Sequence, residues 1–250
     1  MSEVRPVALV TGAARRIGAA IARRLHADGY ELALHCHRSV ADMDALVAEL
    51  DTARAGSVMA LQADLVEFDR LPELVARTIG RFGRLDALVN NASAFFPTPI
   101  GHATPQQWDA LFAANARAPF FLAQAAAPHL AAAGGAIVNL VDIHGERPLR
   151  GHALYGMSKA ALIHLTRALA LELAPRVRVN AVAPGAILWP EDDAGVDKDD
   201  AAKAALLART PLARTGSVGE IAEAVCWLLR EATYTTGQVL RVDGGRLLES

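Results

Sequence analysis

Residues 6–18 read Pro-Val-Ala-Leu-Val-Thr-Gly-Ala-Ala-Arg-Arg-Ile-Gly. The first six form an apolar run of strand length, and Gly12 and Gly18 bracket a turn. From Ile17 to Asp28 apolar residues recur at helical spacing, closed by Gly29, a residue suited to a helix C-terminus. A strand that turns through glycines into a helix lets the backbone approach a pyrophosphate at the helix N-terminus. The pair Gly12 and Gly18 does not have the G-x-G-x-x-G spacing, so by itself it is a weak signal.

The rest of the chain repeats the pattern. Aliphatic and β-branched runs at Glu31 to Cys36, Ser57 to Leu61, Leu85 to Asn90, Ala136 to Val141, Val177 to Ala181 and Gln238 to Val242 read as further strands, with helical segments between them. Strands that are apolar throughout, alternating with helices, predict an α/β fold: a doubly wound parallel sheet of about seven strands with helices on both faces. The 250 residues carry no linker or repeat, so residues 1–250 are expected to form one domain. Residues 191–200, EDDAGVDKDD, carry a run of acids that reads as a solvated loop, and 188–210 are a candidate substrate lid.

Composition narrows the function. With 52% hydrophobic and 21% charged residues the chain is neither disordered nor of low complexity. A net charge of −2 leaves no basic face for a nucleic-acid backbone, so the expected partner is a small molecule. Two cysteines, Cys36 and Cys226, make neither a disulfide framework nor a zinc site and fit a reducing compartment. The N-terminus lacks an apolar run of signal-peptide length, and no stretch reaches the roughly 18 apolar residues of a membrane helix. The expected location is therefore the cytoplasm.

Five ordered motifs then carry a resemblance: the Thr11-Gly12 to Gly18 turn, Asp64 after the third strand, Asn90-Asn91-Ala92-Ser93 after the fourth, Asn115, and Tyr155-x-x-x-Lys159. Together they resemble the short-chain dehydrogenase/reductases, a Rossmann-type family. The resemblance implies nicotinamide-cofactor contacts at Gly12, Arg15, Arg16, Ile17, Gly18, Asp64, Asn91, Ala92, Ser93, Tyr155 and Lys159, and at Pro184, Gly185 and Ile187 of the Pro-Gly motif after the sixth strand. Residue chemistry selects the cofactor. NAD enzymes place an acid about 20 residues beyond the glycine turn to hold the ribose 2′-hydroxyl. Here the second strand ends His37-Arg38-Ser39, and a guanidinium suits a 2′-phosphate, so NADPH is expected. His35 and His37 could share a strand face and bind a metal, but no third ligand stands near, and no metal is expected.

Tyr155 and Lys159 lie one helical turn apart. A phenol with an ordinary pKa near 10 gives up its proton readily only beside a cation, so the Lys159 ammonium is expected to lower it. The resemblance makes Asn115, on a long helix from about Thr104, the residue that holds the lysine through water. Three departures agree with one another: Arg16 for a glycine, Ser93 for the glycine of N-N-A-G, and Asp142 for a serine at the end of the fifth strand. With His37-Arg38-Ser39 and the run from Asn91 to Pro99, they closely resemble the pteridine reductases of that superfamily. That implies hydride transfer to a dihydropterin or dihydrofolate stacked on Phe95, with Arg16, Ser93, Asp142, Tyr155, Leu188 and Trp189 around it and Asp142, Tyr155, Lys159 and Asn115 as the catalytic group. It also implies a homotetramer. The alternatives are an NADPH-dependent ketoreductase of 3-oxoacyl thioesters and a cofactor-binding sensor without turnover; intact Tyr155, Lys159 and Asn115 count against the sensor.

Overall fold

A computed structural model describes residues 4–187, 204, 205 and 207–248. Seven strands, β1 (Val7–Val10), β2 (Glu31–Cys36), β3 (Val58–Gln62), β4 (Ala87–Asn90), β5 (Ala136–Leu140), β6 (Arg178–Pro184) and β7 (Val239–Val242), form one sheet in the order β3-β2-β1-β4-β5-β6-β7. Every pairing is parallel. The chain therefore has the doubly wound α/β, Rossmann-type fold. Helices α1 (Arg16–Ala27) and α2 (Val40–Ala53) cover one face, joined there by α7 (Val218–Arg230). Helices α3 (Arg70–Phe82), α5 (Ala118–Ala133) and α6 (Ala153–Leu173) cover the other.

Burial explains why the strands read so clearly. β1 and β4 are buried at every residue because helices cover them above and below, so every position is apolar except Asn90, whose Nδ2 donates to Asn139 Oδ1 on β5 at 2.9 Å. The edge strands β3 and β7 are only partly buried. Sequence and structure differ at β6, where the run predicted to stop at Ala181 continues to Pro184, paired with Val242. Proline lacks an N–H, and Gly185 restores the connection by donating to the Val242 carbonyl at 3.0 Å.

Local chemistry sets the helix ends. Gly29 follows α1 at φ +92°, where a side chain would be strained. A capping box of Thr104 and Gln107 starts α4 (Pro105–Phe112). The long helix expected from Thr104 is instead two helices, because residues 113–117 form one π-helical turn between α4 and α5. Such a wider turn rotates its side chains out of the regular helical phase, and this one carries Asn115. No described helix is long and apolar enough to cross a membrane.

The sheet order reverses direction between β1 and β4. In such a sheet a crevice opens at the carboxyl ends of those strands, where the helices leave toward opposite faces.

Candidate active site

The crevice begins at the glycine turn. Gly12 has φ +61°, and a Cβ there would approach Ala92 Cα to 2.9 Å. A Cβ on Gly18 would sit 2.1 Å from the Gly12 carbonyl oxygen, so both glycines are required by close backbone approach. The end of β4 holds the turn in place: Thr11 Oγ1 accepts from the Asn91 and Ala92 amides, and Asn91 Nδ2 donates to the Thr11 and Gly12 carbonyls, all at 2.9 to 3.0 Å.

Every residue predicted for the cofactor from Gly12 through Ser93 lines one cleft of about 680 Å³. Its basic side chains stand at the rim. Arg15 lies 3.8 Å from Asp42, His37 lies 3.6 Å from Asp64, and Arg38 is exposed. Asp64 also accepts from the Val66 amide. Arg16 takes φ +52°, a conformation that costs any residue with a Cβ and that the family's usual glycine would adopt freely. Pro184, Gly185 and Ile187 sit at the end of β6, outside the lining of that cleft; Gly185 is pressed against Asp243, whose Cα a Cβ would meet at 2.6 Å. Leu188, Trp189 and most of the candidate lid lie outside the described residues.

The second part of the site rises from β5. Asp142 caps a short 3₁₀ turn, Ile143–Gly145, with Oδ1 accepting from the His144 amide at 2.8 Å. Its Oδ2 accepts the Tyr155 hydroxyl at 2.7 Å. Lys159, one turn further along α6 and 2% exposed, donates Nζ to the Leu140 carbonyl at 2.9 Å. Burial, reinforced by the Asp142 charge, raises the Tyr155 pKa above that of an ordinary phenol. Burial also lowers Lys159 to about 8, against the opposing pull of Asp142. This corrects the expectation that the ammonium lowers the phenol. Lys159 Nζ is 5.8 Å from the centre of the Tyr155 ring and spends a proton on Leu140, whereas the carboxylate touches the hydroxyl. The nearer charge dominates.

Asn115 makes no direct bond to Lys159. Its Nδ2 donates to the Ala94 carbonyl and to Ser158 Oγ, while its Oδ1 accepts from the Ala94 amide and Ser93 Oγ. Ser158 in turn donates to the Tyr155 carbonyl. Asn115 thus ties the loop after β4 to the catalytic turn of α6. The Ser158 link was missed from sequence because a small polar residue inside a helix has no signature of its own. Phe95 is 52% exposed, with its ring stacked on His152 at 4.8 Å and meeting Tyr155 edge-on at 4.7 Å. An aromatic surface therefore stands beside the Tyr155-Asp142 pair. Among the described residues no group of three histidine, cysteine or acidic side chains could hold a metal ion.

A family model described as enoyl-(acyl carrier protein) reductase, of the short-chain type, matches residues 12–246. The chain is a short-chain dehydrogenase/reductase. It is 39% identical to pteridine reductase 1 of Leishmania tarentolae over 98% of this chain and 97% of that protein. It is 42% identical to the granaticin polyketide synthase putative ketoacyl reductase 2 of Streptomyces violaceoruber over 96% and 95%. A 3-oxoacyl-[acyl-carrier-protein] reductase of Staphylococcus aureus shares 38% over 95% and 96%. This short-chain dehydrogenase/reductase is accordingly an oxidoreductase, and reductases of its family use nicotinamide cofactors. The cleft suits such a group: its glycines leave room only for backbone on one side, and Arg15, Arg16, Arg38 and the N-terminus of α1 line it.

Proposed function

We propose that the protein is an NADPH-dependent reductase of dihydropterins or dihydrofolate. The observation that carries this reading is the bond from the Tyr155 hydroxyl to Asp142 beside the half-exposed ring of Phe95. A simple ketone asks for one hydroxyl donor and a second neutral donor at its oxygen, which a serine supplies. A pterin presents ring nitrogens that must be protonated and a flat face that stacks on an aromatic ring. A carboxylate behind the tyrosine and a phenylalanine beside it suit the second task.

When bound, the reduced cofactor supplies the hydride. The chain supplies the rest. Arg38, Ser39 and Arg15 line the cleft and would hold a 2′-phosphate, which favours NADPH. Arg16, in the turn, would hold the cofactor phosphates and the pterin edge, and Ser93 and Phe95 would bound the other side of the pterin. Tyr155 keeps its proton through neutral pH, so it acts as the reservoir from which the substrate nitrogen is protonated. Asp142 orients the hydroxyl and takes part in restoring that proton from solvent. Lys159, held by Leu140, would hold the cofactor ribose, and Asn115 fixes the loop that presents Ser93.

Reduction of a 3-oxoacyl thioester is the second reading, favoured by the similarity to two ketoacyl reductases. Loss of NADPH absorbance, followed side by side with dihydrobiopterin, dihydrofolate and an acetoacetyl thioester, separates the readings. Asp142→Ser sharpens the test. It should lower dihydropterin turnover by roughly 10²-fold, within the usual worth of a group in proton transfer, and should be tolerated or improved with the thioester. Dihydropterin turnover unchanged in Asp142→Ser, or thioester reduction alone in the parent, would favour the ketoreductase.

A further inference from the structure

We propose that His35 is a positioning residue for the cofactor, a neutral imidazole clasp that joins the glycine turn to the end of β3 and fixes the backbone on which the dinucleotide lies. The inference rests on the reading of the cleft as a dinucleotide site. It assigns a function to a histidine that the catalytic chemistry does not use.

His35 is 2% exposed on β2, the strand beside β1. The Gly12 amide donates to its Nδ1 at 3.2 Å, and its Nε2 lies 3.1 Å from the Ala63 carbonyl. An amide can only donate and a carbonyl can only accept, so Nδ1 must be bare and Nε2 must carry the proton. One tautomer alone satisfies both ends. The main chain of the same residue takes the next donor, since the Ala13 amide bonds to the His35 carbonyl at 2.8 Å. The Thr11 amide goes to the Val89 carbonyl at 3.0 Å. Three successive amides of the turn are therefore committed to protein acceptors, two of them on His35. The turn is shaped before any ligand arrives, and the donors left for an anion are those at the start of α1. An apolar residue in place of His35, like its neighbours Leu32 and Leu34, would leave the Gly12 amide without that acceptor.

An imidazolium would set its own N–H against the Gly12 N–H and open the clasp. The ionisable groups around it are His37 at the end of β2, Asp64 after β3, and Arg15 and Arg16, which line the same cleft from the turn and α1. Burial leads in lowering the imidazole to about 4, so the clasp is closed at neutral pH.

NADP⁺ titrations by calorimetry test the proposal with two substitutions that each keep one end of the clasp. In His35→Asn the amide oxygen occupies the place of Nδ1 and can still accept from Gly12. In His35→Gln the amide nitrogen occupies the place of Nε2 and keeps only the Ala63 bond. At neutral pH, His35→Gln should weaken NADP⁺ binding by about tenfold or more, and His35→Asn by no more than about threefold. As pH falls toward about 4, parent affinity should drop further than that of His35→Asn. Every other ionisable group is common to both proteins, so the difference isolates His35. Histidine-labelled parent protein offers a reading free of substitution: its nitrogen spectrum should show His35 as the Nε2–H tautomer. Equal weakening by Asn and Gln, superimposable pH profiles, or an Nδ1–H tautomer would overturn the proposal while leaving the cofactor assignment intact. A parent that binds NAD⁺ instead is titrated with NAD⁺ under the same expectations, and one that binds neither dinucleotide overturns the cofactor reading and this inference together.

Discussion

The glycine turn and the catalytic turn lie at the carboxyl end of the same sheet, yet they are organised in opposite ways. Around Thr11 to Ala13 the amides, carbonyls and polar side chains are matched by neutral partners, and the cations stand outside in water. Around Asp142, Tyr155 and Lys159 three ionisable groups are gathered on β5 and α6, with the tyrosine and lysine nearly out of solvent. There the environment pushes the phenol up and the ammonium down. A binding surface benefits from having nothing left to rearrange. A proton-transfer site benefits from groups held away from their ordinary protonation equilibria, because a small change on ligand binding then moves a proton.

Removing one hydroxyl should break the catalytic turn and spare the glycine turn. Tyr155→Phe is expected to lower kcat by roughly 10²- to 10⁴-fold while the NADPH dissociation constant stays within a few-fold of the parent. Single-turnover kinetics alongside cofactor titration make the comparison, and a parallel loss of binding would show that the two regions are not separable.

The buried lysine gives a stability test with a definite sign. Lys159 titrates at about 8 in the folded chain and at 10.5 ordinarily, so between those values the unfolded chain binds more protons and stability rises with pH. The gain is about 3 kcal/mol at most. Above pH of about 10 the raised Tyr155 acts the other way, because the folded chain then holds the extra proton. Denaturant melts between roughly pH 7.5 and 10 should therefore show a rise that Lys159→Met lacks. A flat profile in the parent would mean that the ammonium is compensated in the fold.

The smallest effect belongs to the exposed rim of the binding region. Arg38 should contribute about tenfold, about 1.4 kcal/mol, to a preference for NADPH over NADH. Arg38→Asp should erase that preference and leave kcat with saturating NADH nearly unchanged. Equal kcat/KM for the two cofactors in the parent would remove the phosphate assignment.

Much of this molecule was legible in the one-dimensional chain. Strands buried on both faces are apolar at nearly every position, so β1, β2, β4 and β5 announced themselves, and their alternation with helices called for a parallel, doubly wound sheet. The glycine turn was legible for the same reason: close approach between backbones admits no side chain at Gly12 or Gly18. Motif spacing placed Tyr155 and Lys159 on one helical face. What the sequence could not determine is how groups from different elements balance once buried together. The π-helical turn that aims Asn115 at Ser158 and Ala94, the bond from Lys159 to Leu140, the carboxylate that holds the Tyr155 proton and the second hydrogen bond of His35 join elements far apart in the chain. Desolvation and hydrogen-bond geometry depend on distances across the sheet, and those exist only after the tertiary structure has formed.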